Sequence, residues 1–485
     1  MRVAVIGAGM SGILAAIKLK ERGDEVVVYE KAATLGGTWR DNTYPGLSCD
    51  VPSHVYAYSF ELKGDWTKRF SPGAEIQAYF EGVARKYGIT ALIRFGSEVV
   101  RAAYEDGRWH LRIKGDRHDT VDAVIAATGV LHVPAYPDIA GLKDFAGACF
   151  HSARWDHSVP LDGQRVGVVG TGSTAIQIVP ALAERVKRLA LFQRTAQWVL
   201  PLANPAYSED EKAMYLRSPA ALRQSYDFWA KRFVDTFAEA VIGNDAELGK
   251  IEAACRANLE DNVRDPELRR RLTPNYRAAC KRLIMSEEFY PALQKPGVRL
   301  VTERIERIEA GGVRTEDGQL HALDVLVLAT GFDAMTGALL KVDIRGRGGI
   351  SLREKWSEGP KTYLGLTVAG FPNLFTITGP GSPSVLTNML PSIEQHVDWI
   401  ADCMAALRTR GVTVIEPEPE AQEAWNEHVG SVADITLRST CSSWYVGANI
   451  PGKPRVFMPY IGGLPAYIER CEAVVANGYE GFAFA

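Results

Sequence analysis

The chain has 485 residues, enough for two or three domains, and its 46% hydrophobic and 23% charged residues match an ordinary globular protein. A formal net charge of -3 gives no global drive toward nucleic acid, and no apolar run is long enough to span a bilayer. The first apolar strand begins almost at Met1, which leaves no room for a signal peptide. The seven cysteines include no C-x-x-C pair and no metal-like spacing, so they read as reduced thiols in a cytoplasmic protein with no metal site.

Residues 2–6 predict a buried strand running into Gly7-Ala8-Gly9-Met10-Ser11-Gly12. A helix is expected from Gly12 to about Arg22, then a second strand over residues 25–29, closed by Glu30. Gly7 permits the tight turn, Gly9 lets the backbone approach a pyrophosphate, and Gly12 lets the helix pack on the strand. The helix start then faces phosphate. Glu30 can accept a hydrogen bond from a ribose hydroxyl and would repel a 2′-phosphate. A lone G-x-G-x-x-G says little, but an acid at the end of the second strand gives it the context of a dinucleotide-binding turn.

Residues 36–50 read as loop. Residues 92–115 hold short strands with a hairpin signal at Asp106-Gly107. Residues 122–129 are a buried strand ending in Ala-Thr-Gly. A connector with little periodicity follows at 145–156, Phe-Ala-Gly-Ala-Cys-Phe-His-Ser-Ala-Arg-Trp-Asp.

The same plan then repeats. A strand leads into Gly170-Thr171-Gly172-Ser173-Thr174-Ala175, a helix follows, a meander lies near Ala310, and residues 324–331 end again in Ala-Thr-Gly. Here the second strand ends in Gln193-Arg194-Thr195 and lacks an acid. An arginine there suits the 2′-phosphate of NADPH; alone it is also compatible with a solvated strand-end cation. The first module is therefore expected to hold a dinucleotide with a free ribose hydroxyl, and the second NADPH.

Residues 205–290 are rich in Ala, Glu, Arg and Lys and read as a helical insertion. Residues 379–384 form a loop, and a helix is expected from about Pro391 to Leu407 with Glu394 in its first turn. A last helix is expected from Pro465 to Ala476, after a loop at 444–454.

The connector fits F-x-G-x-x-x-H-x-x-x-W-[PD] through Phe145, Gly147, His151, Trp155 and Asp156. The first module fits [AG]-G-x-W-x-x-x-x-[FY]-P-[GM]-x-x-x-D through Gly36, Gly37, Trp39, Tyr44, Pro45, Gly46 and Asp50. With these two long patterns the chain resembles the type I Baeyer–Villiger monooxygenases. Residues 192–198, 280–282, 384–389 and 444–452 add to the resemblance, which covers most of the chain and is weakest in the helical insertion. The short N-terminus and Ala175 at the third glycine position depart from the family pattern.

The resemblance implies an α/β fold with two Rossmann-like dinucleotide-binding domains and a helical insertion in the second. The expected boundaries are 1–133 with 335–485 for FAD, 134–200 with 278–334 for NADPH, and 201–277 for the insertion. It implies an enzyme using FAD and NADPH, in which reduced flavin captures O2 as a C4a-peroxide. The peroxide attacks a ketone to give an ester or lactone, with sulfoxidation as a side activity. The expected partners are a small ketone and O2, without nucleic acid or membrane, in a monomer or weak oligomer.

FAD contacts are expected from Gly7, Gly9, Ser11, Gly12, Glu30, Thr38, Trp39, Asp50, Tyr56, Asn388 and Met389. NADPH contacts are expected from Gly170, Thr171, Gly172, Ser173, Thr174, Gln177, Arg194, Thr195, Lys281 and Trp444. Arg282 would stabilise the anionic oxidant, with Asp50 holding its guanidinium. From spacing alone, Lys281-Arg282 reads as a helix end or surface, and Asp50 as a turn residue. His151 reads as a structural link between modules. A flavin-containing monooxygenase acting on nitrogen or sulfur centres shares the two-module plan but lacks the Trp155-Asp156 ending. A flavin disulfide reductase would need a C-x-x-C pair.

Overall fold

The computed structural model describes residues 1–233, 244–436 and 441–485. Two five-stranded parallel sheets organise it. In the first, the order is Leu374–Thr376, Ala123–Ala126, Arg2–Ile6, Glu25–Tyr29, Ile93–Arg94. In the second, it is Val298–Val301, Arg188–Phe192, Arg165–Val169, Val325–Leu328, Ala148–His151. The central strands are short Val/Ala/Ile/Leu runs covered on both faces, as a parallel sheet requires. In each sheet the chain reverses direction of travel beside the glycine-turn strand. That places the ligand crevice at the carboxyl end of that strand.

Smaller sheets sit on each module. Val99–Glu105 and Arg108–Ile113 form the hairpin expected at Asp106-Gly107, whose two residues have φ of 51° and 78°. Ile305–Glu309, Gly312–Thr315 and Leu320–Ala322 make the second meander. Helix Met389–Arg410 lies against helix Met10–Glu21 and completes the first core.

The helical stretch leaves and rejoins the second module where Val199–Leu200 pairs in parallel with Ile284–Met285. Between them lie Glu209–Arg217, Pro219–Phe233, Asp245–Asn262 and Pro266–Leu272; residues 234–243 of the expected insertion lie outside the described residues. Ser208 and Glu211 form a reciprocal capping box that starts the first of these helices. The insertion also touches the first module, where Ser225 Oγ meets His54 Nδ1 at 2.8 Å. Among the described residues no helix is long and apolar enough to cross a membrane.

The α/β fold with two dinucleotide-binding modules is therefore the one expected, but four local expectations change. The first helix starts at Met10, because Gly9 is already its N-cap. The long C-terminal helix starts at Met389, because the Asn388 side chain caps it; Glu394 then falls outside the first turn and accepts from Ser59 N–H at 2.6 Å. The connector contains an edge strand, Ala148–His151, recruited by Val325–Leu328 far along the chain. Finally, the cysteines are not all free thiols. Cys280 and Cys441 form a disulfide across a sequence separation of 161 residues, too distant to read from spacing.

Candidate active site

The first glycine turn is dictated by the backbone itself. Gly7 has φ of +107°, and a Cβ there would stand 2.5 Å from the Ala127 carbonyl oxygen. A Cβ on Gly12 would stand 1.9 Å from the Gly7 carbonyl oxygen. Gly9 differs: its nearest neighbour would be Gly37 Cα at 3.6 Å, so two bare backbones face each other. Helix Met10–Glu21 has no side-chain cap and no acid in its first turn. Its free N–H groups and positive end suit a phosphate.

Glu30 is buried. Ala8 N–H donates to its Oε2 at 2.9 Å, Ala32 N–H to its Oε1 at 2.8 Å, and Arg40 pairs with Oε1 at 3.1 Å. A carboxylate has about four acceptor sites, so capacity remains for a ribose hydroxyl. Trp39 packs edge-on against Tyr56 with ring centres 5.6 Å apart, and Tyr56 reaches Met10 Sδ at 3.7 Å. Asn388 donates to the Val55 carbonyl at 2.9 Å, which ties the start of the Met389 helix to the same loop. Ser11 and Thr38 sit at the starts of the two helices that flank the Gly9–Gly37 cleft. Ser384 and Ser443 hold buried hydroxyls without a protein hydrogen-bond partner among the described residues. Such groups normally find a partner. The residues present fit FAD.

The second turn repeats the design. Gly170 has φ of +115°, with the Ala329 carbonyl oxygen 2.3 Å from where a Cβ would lie, while Gly172 opens to free space. Helix Ser173–Leu182 again has neither a cap side chain nor a first-turn acid, and Thr174 lies in that turn. Thr171 Oγ1 donates to the Thr195 carbonyl at 2.8 Å, fixing the strand end that carries Arg194. Arg194 is exposed. Burial lowers the Lys281 pKa first, and the nearby Arg194 charge lowers it further. Neither cation has an ion pair among the described residues, and together they fit the 2′-phosphate of NADPH.

Gln177, expected to contact the nucleotide, bridges the two modules. Its Oε1 accepts from the Tyr44 hydroxyl at 2.9 Å, and its Nε2 donates to the Ser48 carbonyl at 3.0 Å. Gly46 lies against the Gln177 carbonyl, 2.5 Å from where its own Cβ would stand. The Tyr44-Pro45-Gly46 stretch of the first module is therefore seated on the nucleotide helix of the second.

The connector explains its own residue pattern. Phe145 packs into the core below the second sheet. A Cβ on Gly147 would stand 2.2 Å from the Asp324 carbonyl oxygen. His151 is fully buried; its Nδ1 accepts from Ala153 N–H at 3.1 Å and its Nε2 faces the Gly331 carbonyl at 3.0 Å. Burial pushes its pKa down to about 4 against that carbonyl, so the ring is neutral with the proton on Nε2. Trp155 packs edge-on against Phe150, and Asp156 is an exposed turn acid that accepts from Ser158. None of these groups is placed as a base. His151 ties the connector to Gly331, past the end of strand Val325–Leu328, and Gly147 lies against Asp324 at the strand's start.

Sequence reasoning missed a polar knot beside the connector. Asp41 accepts from Arg40 Nε at 2.8 Å and lies 3.3 Å from His132 Nδ1 and 3.8 Å from Arg154 Nη1. Burial works against its charge, but His132 and Arg40 outweigh burial and hold the carboxyl well below the usual range. Arg154 belongs to the connector, so the knot joins the modules. A single aspartate in a turn-rich loop gave no signal of this.

Arg282 and Asp50 meet where the two modules face each other. Arg282 Nη2 donates to Asp50 Oδ2 at 2.6 Å, and Nη1 donates to the Val385 carbonyl at 3.2 Å. Burial disfavours the cation, but Asp50 and the Tyr445 hydroxyl that faces it outweigh burial, so the pKa is raised and the charge is permanent. Tyr445 is fully buried and stacks against the half-buried Trp444 with ring centres 4.1 Å apart. No charge or spacing marked Tyr445 in the sequence. The site thus has a fixed cation between a flavin-type crevice and an NADPH-type crevice, roofed by aromatic residues.

Residues 1–224 match the family described as flavin-binding monooxygenase-like. An uncharacterized monooxygenase of Mycobacterium tuberculosis is 46% identical over 457 residues, covering 94% of this chain and 91% of that protein. A Baeyer–Villiger monooxygenase of Streptomyces coelicolor is 41% identical over 93% of this chain and 87% of its own length. The crystal structure of cyclohexanone monooxygenase from Rhodococcus, bound to NADP+, superposes with a TM-score of 0.91 at 34% identity, covering 100% of this chain and 98% of that one. With two facing dinucleotide crevices, the arginine–aspartate pair between them and relatives of this likeness over nearly the whole chain, the protein belongs to the flavin-dependent Baeyer–Villiger monooxygenase family.

Proposed function

We propose that the chain is an FAD- and NADPH-dependent monooxygenase that inserts one atom of O2 beside a ketone carbonyl, giving an ester or lactone, with Arg282 as its catalytic cation. The observation that carries the residue assignment is the Arg282–Asp50 contact of 2.6 Å between residues of different modules. When bound, FAD takes its electrons from NADPH and activates O2.

The chain's own residues bind, orient and shield. The uncapped helix at Met10 holds the FAD pyrophosphate and Glu30 its ribose. The helix at Ser173 holds the NADPH pyrophosphate, while Arg194 and Lys281 hold the 2′-phosphate. Arg282 stabilises negative charge that develops on oxygen, in a site where Asp50 and the Val385 carbonyl have already oriented the guanidinium. Trp444 and Tyr445 exclude water. No base is required at His151, and its neutral, doubly engaged ring is unsuited to be one.

Product analysis tests this reading. A cyclic ketone and a thioether are supplied separately with NADPH and O2, and lactone is expected from the ketone. Sulfoxide from the thioether with no lactone from any ketone would assign the chain to heteroatom oxidation.

The phosphate cations give a second test. Arg194→Ala is expected to raise the KM for NADPH about tenfold or more while hardly changing that for NADH, since a charged phosphate contact is worth about 1.5–3 kcal/mol. Equal use of both nucleotides by the unmutated enzyme would refute the assignment.

A further inference from the structure

The disulfide stands next to the catalytic cation. Cys280 directly precedes Lys281 and Arg282, and Cys441 begins the described part of the tail loop that carries Trp444 and Tyr445. Their Cα atoms are 5.6 Å apart. The other five cysteines are free; four are buried and Cys149 is exposed. The far end of the loop has separate anchors. Asn449 Nδ2 donates to the Phe332 carbonyl at 2.7 Å. Lys453 Nζ pairs with Asp333 Oδ1 at 2.6 Å and donates to the Ala334 carbonyl at 2.7 Å. The aromatic pair over Arg282 is therefore fastened by these polar contacts at the far end, by the Tyr445 carbonyl that accepts from Met458 N–H at 3.0 Å, and by a covalent S–S bond at Cys441.

We propose that Cys280–Cys441 is a redox-sensitive clasp that sets how freely the Trp444–Tyr445 loop opens over Arg282. The proposal rests on the reading of Arg282 as the catalytic cation. With the disulfide formed, the loop is pinned to the segment bearing Arg282, and ketone entry and NADP+ release are slowed. With the cysteines reduced, that side of the loop loses its covalent tie to the Arg282 segment, and it opens more readily. Lid opening commonly limits turnover, so the clasp acts on kcat. Cys280 is part-buried and Cys441 is buried.

Hydrogen peroxide is the oxidant that closes the clasp. One thiolate attacks the peroxide, the O–O bond breaks, and a sulfenic acid and a water form. The second thiol attacks that sulfur and releases a second water. The sum is two thiols and one H2O2 giving one disulfide and two H2O, so the two electrons lost by sulfur go to oxygen. A dithiol reductant reverses it by exchange through a mixed disulfide.

The test uses the FAD-loaded enzyme with Cys149→Ser, which removes the exposed thiol. One portion is reduced with dithiothreitol and freed of it; another is then treated with hydrogen peroxide. Alkylation and peptide mass report the 280–441 link, steady-state ester formation reports kcat, and limited proteolysis reports opening of the 441–453 loop. The linked form is expected to show about threefold or more lower kcat and slower cleavage in that loop, both restored by dithiothreitol. Cys441→Ser, and independently Cys280→Ser, should keep the fast-cleaving loop and ignore peroxide. Absence of the linked peptide after peroxide, or equal loop cleavage in linked and reduced enzyme, overturns the clasp. An enzyme that makes no ester in either state refutes the proposed function, and the clasp is then judged on the peptide and cleavage readouts.

Discussion

Arg282→Ala is expected to leave the protein folded and yellow while ester formation falls about 10²–10³-fold, the usual cost of removing one preorganised electrostatic stabiliser. FAD retention depends mainly on the Gly7–Gly12 turn and Glu30, none of which touches Arg282. NADPH should still be oxidised, because the phosphate cations and the second glycine turn remain. Oxygen should then leave as hydrogen peroxide, and the ratio of ester to NADPH consumed should collapse. Arg282→Lys should rescue poorly. The guanidinium reaches Asp50 and the Val385 carbonyl with two different nitrogens, and a point-like ammonium cannot keep that fork. The variant leaves Asp50 without its partner, so circular dichroism and flavin content must accompany the kinetics. Ester yield near that of the unmutated enzyme would show that the catalytic cation lies elsewhere.

This site shows what the sequence could and could not reveal. The glycine turns were legible because part of their constraint is local: Gly7 takes a positive φ and a Cβ on Gly12 would meet the Gly7 carbonyl, although the Ala127 carbonyl that Gly7 also faces lies far along the chain. The hairpin at Asp106-Gly107 was legible for the same reason. The connector was legible only as a pattern. Its causes, the Asp324 and Gly331 carbonyls, lie far along the chain, and so does the strand that turns part of it into a β-edge. Arg282 was recognisable through family resemblance and not through spacing, since its contacts are 232 and 103 residues distant. The disulfide, Tyr445 and the Asp41 knot went unseen because each pairs elements that only the folded chain brings together. Helix starts were misplaced by about two residues where a cap, Gly9 or Asn388, came earlier than the first strongly apolar turn.

The seating of one module on the other gives the second large expected effect. Gly46 has φ of +82°, and a Cβ there would stand 2.5 Å from the Gln177 carbonyl oxygen and 3.1 Å from Ala181 Cβ. The first of these neighbours is helix backbone and cannot swing aside. Gly46→Ala therefore forces the loop and the nucleotide helix of the second module apart, besides placing a side chain in a left-handed conformation that costs about 1–2 kcal/mol. Separation should break the Tyr44–Gln177 hydrogen bond first. Each crevice is built within its own module, so both cofactors should still bind. What suffers is their alignment: a misplacement of about 1 Å between reacting groups can cost about 10²-fold. Anaerobic rapid mixing with NADPH should therefore show flavin bleaching slowed by one to two orders of magnitude, about 10–10²-fold. Dithionite, which needs no second module, should bleach the same sample at the ordinary rate. Gln177→Ala keeps the backbone contact with Gly46 and loses only the side-chain bonds, so it should slow bleaching less. Normal bleaching by NADPH in Gly46→Ala would mean that the Tyr44–Gly46 loop is a surface turn and that alignment of the two cofactors is set by the connector alone.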